Sequence, residues 1–194
     1  DKQIYIIHEN DEWVAPLKGE LKKINAPYKE WHMGKGKIDC SNTPPNGVFY
    51  NRMSASSHSR GHRYAPENTK TVLNWLESHK RRIVNNSRAL MLEISKQKQY
   101  KELENFNIKF PRTFFCQDKT SLLENSKNFD KPFITKHNRG GRGLGIKYFN
   151  NVSELEKHIN GNQFEPSIDG ITLIQEYIVS DPQIITRVEF IDSK

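Results

Sequence analysis

Lysines beside a run of glycines are the residues of this chain that point most directly to chemistry. Lys136 closes an apolar run that begins at Pro132. Gly140, Gly141, Gly143 and Gly145 follow, and a second apolar run starts at Ile146. Glycine lets a backbone approach a ligand closely and tolerates positive φ. A loop of exposed N–H groups beside cations is a natural seat for phosphate. It is not a P-loop, because no Gly-Lys-Ser/Thr follows the glycines. It is a poor dinucleotide fingerprint, because that motif opens a helix whereas Ile146–Phe149 reads as a strand. The expected geometry is strand, glycine loop, strand: a flap able to close over phosphates. A long β-hairpin loop without a ligand accounts for the glycines equally well.

Other residues with the right chemistry lie on either side. A helix expected over Ser87–Asn105 puts Leu92, Lys96, Tyr100 and Leu103 on one stripe, with Lys98 on a more polar side. A lysine on an apolar face either serves a buried anion or snorkels at the core edge. Lys136 shares a strand face with Ile134, from which it can reach a phosphate under the loop or simply face solvent. Arg187 lies in an apolar strand, on one face with Ile185, Glu189 and Ile191. Its rigid fork suits phosphate oxygens, or a cross-strand pair with Glu176. Gln175, Glu176, Tyr177 and Ile178 close another apolar strand, whose edge offers C=O and N–H groups to a flat base. Taken alone, that segment is also an ordinary amphipathic strand.

Ser54–Tyr64, SASSHSRGHRY, reads first as a solvated connecting segment. Its His58, Arg60, His62 and Arg63 also suit a substrate carboxylate. As a metal site the two histidines lack a nearby cysteine or acidic partner.

The elements that must position these residues alternate. Strands are expected at Ile4–Ile7, Tyr28–Trp31, Val48–Tyr50 and Ile83–Val84. Helices are expected through Trp13, Leu17, Leu21 and Ile24, and after Pro66 through Val72, Leu73 and Leu76. Pro44-Pro45 and Asn46-Gly47 mark a turn-rich loop. This alternation predicts a parallel α/β unit. Beyond the helix from Ser87, strands are expected at Arg112–Cys116, Pro132–Lys136, Ile146–Phe149, Ile171–Ile178 and Ile184–Ile191. A short helix carries Leu122 and Leu123. Another runs through Leu155 and Ile159, with Ser153 and Glu156 as its capping box.

Composition narrows the class. The chain has 194 residues, 27% charged and 35% hydrophobic, which excludes global disorder. No stretch approaches the ~20 apolar residues of a membrane span, and no signal peptide is visible. Cys40 and Cys116 are too few and too far apart for a disulfide framework, which fits a reduced, cytoplasmic setting. The formal charge of +7 comes from Lys and Arg scattered among acidic residues. Such a pattern fits an anionic small ligand at least as well as a nucleic acid, and the aromatic-basic interleaving of single-strand binders is missing. The chain opens at Asp1 without methionine and stops just after an apolar run. It is expected to be a fragment of a longer protein.

The order of these features is more specific than any one of them. Lysine on a helix, a Pro-Arg-Thr strand, lysine plus glycine loop, Gln-Glu-Tyr-Ile, then arginine in a strand resembles the ATP-grasp superfamily. Within it the chain looks like the amino-acid and peptide ligases grouped with ribosomal-protein S6 glutamate ligase. The resemblance implies an α/β and α+β fold. Residues 1–85 would form the parallel pre-ATP-grasp domain. Residues 86–194 would form an ATP-binding region with an antiparallel sheet and glycine flap, incomplete at its C-terminus. It implies ATP and Mg2+ as cofactors. By position, Lys96 and Lys136 would contact phosphates, and Gly140, Gly141, Gly143 and Gly145 would form the flap. Backbone atoms of Gln175, Glu176, Tyr177 and Ile178 would hold adenine, with Glu176 and Ile178 foremost. Asp181 would hold the ribose, and Arg187 would face the phosphates as the catalytic arginine. The family's magnesium ligands, an acidic residue followed by a Glu-x-Asn pair, are expected downstream of Lys194; Glu189 does not match them.

The implied reaction is a carboxylate–amine ligation through an acylphosphate. The partners would be small-molecule or peptide carboxylates and amines, with no membrane and no nucleic acid. A homo-oligomer is compatible with the resemblance. A non-catalytic ATP-binding module and a basic nucleic-acid-binding protein are the competing readings.

Overall fold

A computed structural model describes residues 3–36, 38–141 and 143–180, with 184, 186 and 188. Two four-stranded sheets organise the chain.

The first sheet is parallel. Its strands β1 (Ile4–His8), β2 (Tyr28–His32), β3 (Val48–Asn51) and β4 (Arg82–Val84) lie in the order β2-β1-β3-β4. Helices cover both faces, so the central strand reads as an unbroken apolar run. On one face Tyr5, Ile7 and Phe49 meet Val72, Leu73 and Leu76 of α2 (Ala65–Ser78), and Leu90 of α3 (Ser87–Glu93). On the other, Ile6 packs on Val14 and Leu21 of α1 (Asp11–Lys23), whose first turn is capped by the Asn10 side chain.

The second sheet is antiparallel, with β5 (Thr113–Cys116), β6 (Phe133–His137), β7 (Lys147–Phe149) and β8 (Thr172–Glu176) in the order β5-β8-β6-β7. Cys116, Phe133, Phe149 and Ile174 bury one face under Leu122 of α5 (Lys119–Ser126) and Leu155 and Ile159 of α6 (Val152–Asn160). The opposite face is only partly covered. Alternation on β6 is clean: Phe133, Thr135 and His137 are buried, while Ile134 and Lys136 lie on the open side.

Three expectations need correction. The helix over Ser87–Asn105 is two helices, α3 and α4 (Lys96–Asn105), because Ser95 adopts an extended backbone and caps the second. Leu92 therefore does not share a helical stripe with Lys96. The cap of α6 is Asn151, which accepts from the Glu154 N–H at 3.0 Å, rather than the Ser153–Glu156 pair. The Ser54–Tyr64 segment is not simply solvated: Ser54, Ala55, Ser56 and Ser57 are buried. The strand expected at Ile184–Ile191 falls mostly outside the described residues.

Candidate functional site

Lys96 is the first residue of α4. Its Nζ donates to the Gly140 carbonyl at 2.8 Å and reaches the Asn138 carbonyl at 3.4 Å. Burial lowers its pKa, and the nearby Lys136 charge lowers it further; Asp169 and Glu93 oppose this at longer range. Asn138, 2% exposed, ties α4 to the root of the glycine loop. Its carbonyl accepts from the Lys96 N–H at 3.2 Å, and its Oδ1 from the Gln97 N–H at 2.8 Å. Its Nδ2 donates to Asp169 Oδ2 at 2.6 Å. The orphan N–H groups of the α4 terminus are thus spent on the protein itself.

Lys136 reaches the same region from the sheet. Its Nζ donates to the Gln175 side-chain carbonyl at 2.5 Å. Gln175, 2% exposed, is locked in place by donating to Tyr100 Oη at 3.0 Å and Thr113 Oγ1 at 2.7 Å. Both lysines therefore rest on neutral acceptors. Among the described residues no carboxylate lies within ion-pair distance of either. Two neighbouring cations thus lie together with no carboxylate in direct contact among the described residues.

The surface beside them is apolar. Register sets Tyr148, Ile134, Gln175 and Thr113 in one row across the sheet. Tyr100 of α4 covers the β5–β8 half, with its ring 6.2 Å from Phe115. The β6–β7 half stays open, and Ile146 and Tyr148 are exposed there. Tyr148 meets Tyr177 edge-on at 5.0 Å.

The four glycines do different jobs. Gly140 supplies the carbonyl that Lys96 binds. Gly141 and Gly143 accept turn-closing bonds from Leu144 at 3.1 Å and Ile146 at 3.0 Å. Gly145 returns the chain at φ +73°, where a Cβ would overlap the His137 ring. A cavity of about 440 Å³ lies beneath Gly143, Leu144 and Gly145, lined by His137 and His158. It opens on the buried-strand side of β6, away from Lys136.

Of the segment expected to meet a base, only Gln175 and Glu176 are in β8. The Glu176 N–H donates to the Arg112 carbonyl at 3.0 Å and the Tyr177 N–H to the Pro132 carbonyl at 3.1 Å. Ile178 is exposed, and among the described residues its N–H has no intramolecular acceptor. Asp181 and Arg187 lie outside the described residues.

Two residues next to the loop escaped the sequence reading. One is Asn138. The other is Arg139, 4% exposed, which donates to Glu67 at 2.7 Å and to the Arg63 carbonyl at 3.1 Å. Burial would raise the Glu67 pKa, but hydrogen bonds from Arg139 and Arg63 outweigh it and bring it to about 2. The available signal was a polar Asn-Arg pair directly after an apolar strand; its partners lie far away in sequence. In the Ser54–Tyr64 segment, Arg60 forks onto the buried Glu9 carboxylate, with Nε 3.1 Å from Oε2. Arg63 pairs with Glu67 at 2.8 Å. Burial and the Arg139 charge keep His58 below the usual histidine range. These residues are engaged within the protein.

This layout, a parallel α/β unit followed by an antiparallel sheet with two lysines beside a glycine loop, has counterparts among solved structures. A RimK-domain ATP-grasp protein from Sphaerobacter thermophilus matches with TM-score 0.64 and 12% identity, over 92% of this chain and 64% of that one. D-alanyl-alanine synthetase A from Vibrio cholerae matches with TM-score 0.67 and 12% identity, over 92% and 60%. The chain has the ATP-grasp fold. PsnB, an ATP-grasp ligase solved with a minimal precursor, Mg and ADP, matches with TM-score 0.56 and 14% identity, over 92% and 64%. The chain spans 60–64% of the length of these three ATP-grasp proteins. No protein-family model and no curated protein matches it. No helix among the described residues is long and apolar enough to cross a membrane.

Proposed function

We propose that this ATP-grasp chain binds ATP on the open face of its second sheet and belongs to an ATP-dependent carboxylate–amine ligase. The observation that carries this reading is the pair of cations, Lys96 and Lys136, without a carboxylate partner among the described residues and beside the glycine loop. An anion of high charge would balance them, and phosphates would displace the neutral carbonyls that now hold both lysines. The half-open apolar strip along Ile134 and Tyr148 suits a flat base, and the Ile178 N–H, without an acceptor among the described residues, is a donor placed to meet it. In this reading Asp181 holds the ribose and Arg187 meets the transferring phosphoryl group.

The reaction follows from that arrangement. A substrate carboxylate attacks the γ-phosphorus, giving an acylphosphate and ADP. An amine then attacks the acyl carbon, phosphate leaves, and an amide remains. Lys96 and Lys136 neutralise charge on the phosphates. The glycine loop closes over the acylphosphate and keeps water from it. Magnesium would shield phosphate charge when bound. A hollow of about 340 Å³ at the carboxyl ends of β3 and β4, lined by Asn51, Arg52 and Glu93, is our candidate seat for the acid. Open parallel sheets bind ligands at such strand ends.

Lys136→Ala should weaken ATP binding at least about tenfold by calorimetry, since it removes one of two phosphate-facing charges. Unchanged affinity would refute the assigned phosphate site. ADP release that requires both an acid and an amine would separate a ligase from a non-catalytic ATP-binding module.

A further inference from the structure

The carboxyl ends of β1 and β2 carry two histidines side by side. His8 and His32 are register partners, and their rings meet edge-on with centroids 5.1 Å apart. Asp11, the first residue of α1, places Oδ1 3.8 Å from His32 Nε2. One ligand atom from each of His8, Asp11 and His32 lies within 4.8 Å of the other two.

His8 is the informative member. It is 1% exposed, and neither ring nitrogen makes a hydrogen bond. Its Nε2 lies 3.2 Å from a Glu30 carboxylate oxygen, but without hydrogen-bond geometry. A buried imidazole with both nitrogens unmet is costly and calls for a partner. The carboxylates around it already attract cations. Lys35 Nζ sits 3.2 Å from Asp11, and Lys18 Nζ 3.1 Å from Glu30.

We propose that His8, His32 and Asp11 form a binding site for a zinc-class divalent cation that pins β1, β2 and the start of α1 together. Imidazole nitrogen with carboxylate oxygen is a donor set that suits zinc. Ligand atoms around tetrahedral zinc are about 3.3 Å apart, given bonds of about 2.0–2.1 Å. The exposed Asp11 side chain closes its 3.8 Å distance to His32 Nε2 by a small swing. Glu30 is at hand to hold the His8 ring or to fill the fourth position. Ligation through His32 Nε2 moves that ring's proton to Nδ1. The Gly34 N–H, which now donates to Nδ1 at 3.2 Å, is then released in an exposed turn. Burial and neighbouring positive charge keep both imidazoles below the usual histidine pKa, which favours the neutral, ligating form.

The test is calorimetric titration of metal-free, tag-free chain with Zn2+, repeated with Co2+ to read the visible absorption of a tetrahedral ion. One equivalent should bind per chain. His32→Ala and Asp11→Asn should each weaken binding at least tenfold, whereas His62→Ala, whose ring only flanks His32 at 5.3 Å, should not. Asp11 is exposed, so Asp11→Asn should fold as the parent does, which thermal melting checks. Absence of one-equivalent binding, or binding indifferent to both substitutions, overturns the site. ATP affinity should be the same in the parent and Asp11→Asn, so a failure here leaves the nucleotide reading standing.

Discussion

Gly145 shows how much one position can constrain the loop. Its φ of +73° disfavours any side chain, and the space a Cβ needs is filled by the His137 ring. That ring cannot easily yield: His137 is 6% exposed, and its Nε2 lies 2.9 Å from the Glu165 carbonyl. Gly141 differs, since a Cβ there meets nothing within 4 Å. Gly145→Ala should therefore lose about 1–3 kcal/mol of stability through backbone strain and overlap, while Gly141→Ala should stay within about 0.5 kcal/mol. Urea denaturation of the two variants reads the difference, and equal losses would count against this account. At the same scale, Lys96 and Lys136 repel each other while resting on neutral oxygens. That repulsion costs stability in the free protein, and under the proposed function a bound anion would relieve it.

At the scale of elements, the junction between α3 and α4 sets the position of Lys96. Ser95 breaks the helix, caps its continuation through the Lys98 N–H at 3.3 Å, and turns Lys96 toward the loop. Asn138 then seals the new terminus. Ser95→Ala should cost about 1 kcal/mol, the usual value of a lost cap. Asn138→Ala should cost more, about 2–3 kcal/mol, because the Gln97 N–H loses its acceptor and Asp169 Oδ2 its donor, although Asp169 Oδ1 keeps Ser167 and Ile171. Chemical denaturation of both variants tests that ranking. The same junction marks how far the sequence could be read. Apolar periodicity located the four strands of the parallel sheet and the helices α1 and α2, but not the short helical turn at Ser57–Arg60, which is polar. It merged α3 with α4 because the polar run from Ser95 to Gln99 keeps helical spacing, and one serine cap is a weak signal against it. The lysines and glycines stood out as residue types. Gln175 as the acceptor for Lys136, and Asn138 and Arg139 as anchors of the loop, depend on partners from 28 to 76 positions away, which no local pattern carries.

For the whole molecule, Arg139 is the link that matters. It stands between Asn138 and the glycines, yet its guanidinium crosses to Glu67 on α2, in the half built on the parallel sheet. Arg63 strengthens the join by pairing with Glu67 and donating to the Ile168 carbonyl at 3.2 Å. A buried arginine with one carboxylate partner is sensitive to loss of that partner. The pH dependence follows from the carboxyl. Its folded pKa of about 2 lies below the unfolded value of about 4.3. The stability it contributes is therefore complete above the unfolded pKa and is lost as pH falls toward about 2. Glu67 is partly exposed, so solvent screening makes the effect smaller than the full shift would give. Glu67→Gln should be less stable at neutral pH, and its acid destabilisation between about pH 4.5 and about pH 2 should be shallower than the parent's. Denaturation midpoints measured across that range decide it: parallel acid limbs in the two proteins would mean that the Arg139–Glu67 contact does not hold the halves together. If the limbs do diverge, the glycine loop is rooted in both halves at once, and any ligand that moves the loop must also load the contact with α2.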